Sequence, residues 1–255
     1  GVVLFHRKGR ETLLSENGQR LLPYVQEGFK RVAEGVEAIR RTDRSVLSIT
    51  VGPAFTIKWL VPRLHEFRIL HPDIDVRIST QIEPIELETL ATDLAIRIGD
   101  GNYPGYRVHQ LFEERFAPLC SPKLAEGRHP LRKPEALKYH VLLHTYLQDT
   151  LMGAPNWLDW LKYAGVENVD GRNGLFLELA DHAIQAAIDG AGVILGFCRL
   201  SSDDIRAGRL VEPFPIPIPS NIGYYLVCPQ PTAEQPKISA FRKWILDRTA
   251  EIRSQ

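Results

Sequence analysis

Cysteine is scarce: Cys120, Cys198 and Cys228 are the three in 255 residues, far apart and with no CxxC pair. That spacing argues against a disulfide framework and fits a reduced, cytoplasmic protein. No apolar run reaches the ~20 residues of a membrane-spanning helix, and no secretory leader opens the chain. Charge of one sign is missing too. Lys and Arg total 31, Asp and Glu 31, so no global field draws the chain to nucleic acid. Enzyme signatures are absent: there is no GxSxG, P-loop or HExxH, and the Gly-x-Gly fragments lack a dinucleotide fingerprint. His140 and His144 have an HxxxH spacing that suits a metal on a helix. On the strand expected there, they share a face but lie ~13 Å apart. No enzyme activity, metal or cofactor is therefore expected. The adjacent pairs Glu113-Glu114 and Asp203-Asp204 read as solvated carboxylates.

What is present begins with a basic hairpin at Leu4–Arg10. Lys8-Gly9 supplies its turn, and His6, Arg7 and Arg10 give it a charge suited to phosphates. Ser15 is placed to cap a long helix, with Pro23 bending its first turns. Along that helix Leu22, Val25, Phe29, Val32, Val36 and Ile39 recur at alternating spacings of three and four, an a/d seam. A single helix cannot bury such a stripe alone, so it pairs with a second copy or packs on its own domain.

From Ser45 onward the pattern is strand–helix–strand, twice over. Val46–Val51 is a strand, 52–56 a turn, Ile57–Leu70 a helix and Asp75–Thr80 a strand. A short helix at Pro84–Leu90 then leads to the strand Leu94–Ile98. The second unit has strands at His140–Thr145, Leu175–Leu179 and Val193–Phe197, with helices at Asn156–Ala164 and Asp181–Asp189. This order implies parallel sheets with helices on both faces. Alternating prolines over 212–219 make an extended, edge-like connector before the strand Ile222–Val227. Two crossings between two α/β lobes form a hinge with a cleft.

Phe5, Arg7, Gly9, Leu14, Ser15, Gly18, Leu21, Leu22 and Pro23 resemble the wing and linker-helix start of LysR-type transcriptional regulators. The resemblance continues through Asp93–Arg97, Ala187–Val193, Gly223–Val227 and Phe241–Ile245, from the wing to the final helix. Asp93–Gly101 with Ala117–Cys120 are similar to the branch regulating glycine cleavage and β-lactamase expression. In that family a helix-turn-helix precedes the wing, so the resemblance implies an amino-terminally truncated regulator. It implies a wing remnant (1–14), a dimerisation helix (15–44) and a two-lobed, periplasmic-binding-protein-like effector domain. Lobe I is expected at 45–119 and 220–255, lobe II at 120–219. The implied partners are promoter DNA, a small-molecule effector and further copies in a homodimer or homotetramer. His6, Arg7 and Arg10 would touch the DNA backbone. The alternative is a free solute-binding protein of periplasmic type.

In such sheets ligands sit beyond the carboxyl ends of strands, near helix amino termini. That places Ala54, Phe55, Thr56, Thr80, Gln81, Arg97 and Gly99 on one rim, and His144, Glu178, His182 and Phe197 on the other. Thr56 can equally cap its own helix, and Arg97 can pair internally with Asp100. Related regulators often carry small hydroxyl residues where this chain has Leu179 and Ala180; Glu178 or His182 supplies the polarity instead. The expected effector is anionic or amino-acid-like.

Overall fold

The computed structural model describes residues 1–8, 11–40, 46–81, 92–146, 151 and 153–253. The turn at Gly9, Arg10, the 42–44 junction and the helix expected at 84–90 lie outside them, as do the side chains of Val36 and Ile39.

Strands β1 (Phe5–Lys8) and β2 (Glu11–Leu14) pair antiparallel, Phe5 opposite Leu14, and lead into α1 (Glu16–Arg40), which continues through Pro23. Ser15 is the joint. Its hydroxyl accepts from the Gly18 amide at 3.1 Å and donates to the Val3 carbonyl at 2.6 Å, while its own amide donates to Leu4 O at 2.9 Å. The cap thus anchors the hairpin to the helix. A Cβ at Gly18 would collide with Leu4 O, so this close approach requires glycine.

The first lobe holds β3 (Val46–Val51), β4 (Asp75–Thr80), β5 (Leu94–Gly99), β6 (Tyr106–Glu113) and β11 (Gly223–Pro229), in the order β4-β3-β5-β11-β6. The second holds β7 (Phe116–Leu119), β8 (Leu142–Thr145), β9 (Leu175–Leu177) and β10 (Val193–Phe197), in the order β7-β10-β8-β9. Both sheets are mixed rather than all-parallel. β11 runs antiparallel to β5 and β6, and β7 antiparallel to β10. The physical reason is that the chain enters the second lobe directly from β6, with no helical crossover to restore its direction.

Three sequence expectations need correction here. Strand β6 was not anticipated; its half-buried first residues blur the alternation that marks a strand. Phe116–Leu119, expected in lobe I, pairs with β10 in the second sheet, so the first crossing falls at Glu114–Arg115. An apolar run of four suits either sheet, and only pairing decides. Lastly, 52–56 is not a turn. Helix α2 (Pro53–Phe55) starts at once, a π turn spans Thr56–Leu60, and α3 (Val61–Leu70) continues it. Pro62 cannot donate to the carbonyl one turn back, and the widened π turn immediately precedes it.

Helix α4 (Pro122–Ala125) is capped by Ser121, and α5 (Trp157–Tyr163) by an Asn156/Asp159 capping box. Helices α6 (Ala180–Ile188), α7 (Ser202–Arg206) and α8 (Pro236–Arg253) follow. The first lobe's core is aromatic: Phe67 meets Phe241 and Trp244 at 5.2 and 5.4 Å, tying α3 to α8. In the second lobe, Trp157 Nε1 donates to Leu143 O at 3.0 Å. Trp160 Nε1 reaches the proline-rich connector at Ile216 O, 2.8 Å away. That connector runs along the edge of β7 through the bridges Phe116–Ile218 and Cys120–Val211. Among the described residues no helix is long and apolar enough to cross a membrane.

Candidate functional site

The lobes meet at three kinds of contact. The first turn of the α2–α3 helix packs against α6, bringing the segment after β3 close to the segment after β9. Two ion pairs cross between lobes: Lys58 Nζ to Asp204 Oδ2 at 3.0 Å, and Arg63 Nη2 to Asp203 Oδ2 at 2.6 Å. Asp204, 4% exposed, also takes Arg209 Nε at 2.7 Å. The third contact is the hinge. Glu114 donates its amide to Ile222 O at 2.7 Å, joining the two crossings. Its carboxylate accepts three backbone amides, Arg115 and Arg199 on Oε1 (2.9 and 2.7 Å) and Leu200 on Oε2 (3.1 Å).

Neither adjacent acidic pair is simply solvated, as the sequence suggested. Glu114 is 4% exposed. Burial pushes its carboxyl up to about 7, overriding the three amides and Arg199, which all favour the charged form. Sequence reasoning missed this residue because an apolar neighbourhood built from two distant crossings leaves no local signal.

The expected rim residues divide. Ala54 and Phe55 form the first turn of the helix that meets α6, but Phe55 is core: its ring packs on Tyr224 at 5.0 Å and Trp59 at 5.2 Å. The Thr56 amide is not free, since it donates to Gly52 O at 3.0 Å, and its hydroxyl donates to the same carbonyl at 2.9 Å. Thr56 therefore does not cap the helix either: the helix begins one turn earlier than expected, with Gly52 at its N-cap, and the hydroxyl bonds back to that carbonyl. Thr80 is exposed at the end of β4, and the Gln81 amide donates to Val51 O at 3.3 Å.

Arg97 points elsewhere. Ile96 and Leu94 face the main core, so the period-two alternation of β5 sends Arg97 to the opposite face, with Ala95, Tyr225 and Tyr103. Its Nη1 donates to Gln81 O at 3.5 Å, it makes no ion pair with Asp100, and Nη2 is buried without a partner. Burial lowers its pKa and drives that of the neighbouring Tyr103 hydroxyl up to about 12. Gly99 shares this face: a Cβ there would press on the Tyr103 hydroxyl, 2.7 Å away.

In the second lobe, Glu178 and His182 are exposed at the β9-to-α6 turn, where the expected site lies. Between them Asp181 is buried with Oδ1 unpartnered. His144 does not belong with them. It stacks on Phe176 at 4.3 Å, bonds Asn173 O through Nε2 at 3.3 Å, and lines a cavity of about 200 Å³ made of second-lobe residues alone. Its ring lies beside its β9 pairing partner, a register invisible in one sequence. Phe197 is 1% exposed and packs edge-on against Phe116 at 5.1 Å. His140 bonds His129 O at 2.7 Å, separately from His144, and no cluster of metal-ligating side chains occurs among the described residues.

On the hairpin, His6 and Arg7 are exposed. Along α1, Leu22 and Val25 are 40% and 41% exposed and Phe29 and Val32 72% and 64%, an apolar seam with no cover among the described residues.

The model of the LysR substrate binding domain matches residues 40–250. Over 251 residues the chain is 37% identical to the glycine cleavage system transcriptional activator of Escherichia coli K12, covering 98% of this chain and 80% of that protein. The effector domain of the transcriptional regulator AmpR of Pseudomonas aeruginosa superposes with a TM-score of 0.67 at 30% identity, over 82% of this chain and 98% of that one. CrgA, a LysR-type regulator from Neisseria meningitidis, matches 98% of this chain and 84% of its own with a TM-score of 0.67. At 19% identity it speaks for the fold alone.

Proposed function

The chain belongs to the LysR-type family of transcriptional regulators, which are not enzymes, and from that membership we propose how its parts serve regulation. LysR regulators bind DNA and small-molecule effectors and oligomerise, and this chain carries their α/β effector-binding domain. An effector binding between the lobes, at the start of α2 and the β9-to-α6 turn, favours one relative arrangement of the lobes over another. The observation that carries this reading is the packing of α2 on α6 across the lobes, with the hinge and two ion pairs beside it. Ala54, Thr80, Gln81, Glu178 and His182 are the residues that contact the effector. It is a small carboxylate or amino-acid-like molecule: helix starts attract carboxylate, while Glu178 and the unpartnered Oδ1 of Asp181 suit an amine.

The exposed seam of α1 joins two copies, with Leu22, Val25, Phe29 and Val32 packing against their equivalents. Val36 and Ile39 extend the stripe in sequence. His6 and Arg7, with Arg10, contact DNA phosphates rather than read bases, and the protein works in the cytoplasm. The wing, helix and lobes divide near residues 14, 44, 115 and 220.

Thermal titration of the chain with a panel of amino acids and short carboxylates tests the effector reading. Saturable stabilisation by a panel member is expected, because a ligand at ~100 times its Kd adds about 2.7 kcal/mol. Ala54→Trp should abolish it by placing a bulky side chain where α2 meets α6. Stabilisation that survives this substitution would move the effector elsewhere.

A further inference from the structure

A second cavity, of about 250 Å³, lies at the second-lobe end of the hinge, lined by Arg115, Cys198, Arg199, Ser202, Ile205 and Arg206. None of these residues takes part in the effector site between α2 and α6. The overall charge of the chain is zero, yet three of the six residues that line this cavity are arginines. Five cations, Lys58, Arg63, Arg115, Arg206 and Arg209, share three carboxylates at ion-pair distance, Asp203, Asp204 and Glu212. Asp203 serves both Arg63 and Arg206, at 2.6 and 2.8 Å. Arg115 spends both terminal nitrogens on Glu212, at 3.0 and 2.6 Å. Arg199 makes no ion pair among the described residues; its Nη1 donates to Glu113 O at 2.7 Å. Glu114 lies behind it, held by three backbone amides, and its carboxylate interacts electrostatically with Arg199.

We propose that this hinge cavity is a binding site for a phosphate dianion, separate from the effector site. The guanidinium groups of Arg115, Arg199 and Arg206 line it, Arg199 without an ion pair among the described residues, and planar N–H forks are the donors that hold phosphate oxygens in pairs. The nearby backbone amides are already taken: Cys198 N by Arg115 O, Arg199 N by Glu114 and Ser202 N by Arg199 O. Side chains must therefore do the binding, with the Ser202 hydroxyl as a further donor. The cavity, at about 250 Å³, has room for a phosphate group. Ile205 and Cys198 wall part of it, so the site admits either inorganic phosphate or the phosphate of a small monoester.

Occupancy has a structural consequence. An anion that draws Arg206 away leaves Asp203 to Arg63 alone, strengthening one of the two ion pairs that cross between the lobes. The site thereby biases the same arrangement that the effector biases.

The test is a thermal titration of the whole chain with inorganic phosphate at pH 8, against chloride at matched ionic strength. A saturable rise in Tm beyond the chloride control is expected. Arg206→Ala and Arg199→Ala should each weaken the apparent affinity at least tenfold, and Arg199→Lys less, because it keeps the charge and loses the fork. Arg206 is exposed, so its variant remains informative if an Arg199 substitution impairs folding. His182→Ala, in the effector site, should leave the phosphate response intact. Glycerol phosphate binding more tightly than inorganic phosphate would identify a monoester as the ligand, and weaker binding would identify the free ion. A phosphate response that is unsaturable, equal to chloride or unchanged in Arg206→Ala would overturn the proposal. Loss in His182→Ala would also overturn it, by placing the anion between α2 and α6.

Discussion

Replacing Glu114 by glutamine gives the sharpest test of how the hinge is held. The carboxyl is buried where the two crossings meet, faced by Arg115, Arg199, Cys198 and Tyr224. Its pKa rises from 4.5 to about 7 on folding, with burial as the largest cause. A carboxyl raised in this way binds its proton more tightly in the folded state. Its contribution is therefore fully present below pH 4.5 and is lost as pH climbs through about 7. At ~1.36 kcal/mol per pKa unit, the loss amounts to about 3 kcal/mol. Glutamine carries no charge and escapes that loss. It keeps one acceptor oxygen for Arg115 and Arg199, but sets an N–H₂ against the Leu200 amide, a mismatch worth about 1–3 kcal/mol. The variant should thus be less stable than the parent at pH 5 and equal or better at pH 8.5. Urea denaturation at both ends of that range measures the difference directly, and thermal unfolding should show a Tm change of roughly 2–4 °C for each kcal/mol in a chain of this size. Parallel stability curves for parent and variant across the range would refute the assignment of this titration to Glu114.

Two further substitutions probe the other joints. Phe29→Asp puts a charge on the exposed seam of α1; burying a phenylalanine is worth ~1.5–3 kcal/mol. Two copies in a symmetric pair should together weaken self-association about a hundredfold or more, and sedimentation velocity that shows an unchanged assembly would remove the seam from the interface. Lys58→Met cuts an interlobe ion pair whose side chains are 13% and 6% exposed. Asp204 keeps Arg209, so the cost should fall near the low end for a broken buried pair, about 3 kcal/mol. A urea midpoint within error of the parent would show that the pair is solvated.

Much of the fold was legible because its signals are local. The Ser15 cap and the stripe of α1 lie within a few residues of what they control, as does the start of the helix at Asn156. Each α/β unit likewise announces itself by a change of period. Strand membership was less legible. Phe116–Leu119 carries a strand's composition without naming its sheet, and β6 follows an exposed, tyrosine-containing loop with only its last residues deeply buried. Pairing across a hundred residues settles both, as β11 does when it inserts between β5 and β6.

The site was harder to read, for two separate physical reasons. The first is parity. Arg97 stands at the right end of the right strand, but one step along β5 reverses the face, and the arginine lands among Tyr103 and Tyr225 instead of beside the helix start. Sequence position fixes depth along a strand to within a residue, and a residue is the unit that exchanges one face for the other. The second is that the groups controlling the hinge draw on segments far apart in the chain. Glu114 takes its amides from Arg115, Arg199 and Leu200, and Asp203 and Asp204 take their cations from Lys58, Arg63, Arg206 and Arg209. Read alone, each acidic pair looks like ordinary surface. Folded, both sit between lobes, where burial raises the cost of every unpaired charge and makes the partners decide the geometry. A two-lobed regulator needs this arrangement. Weak, exposed ties would let the lobes move without coupling to a ligand, whereas a few desolvated ties that cross the gap give a small molecule something definite to strengthen or break.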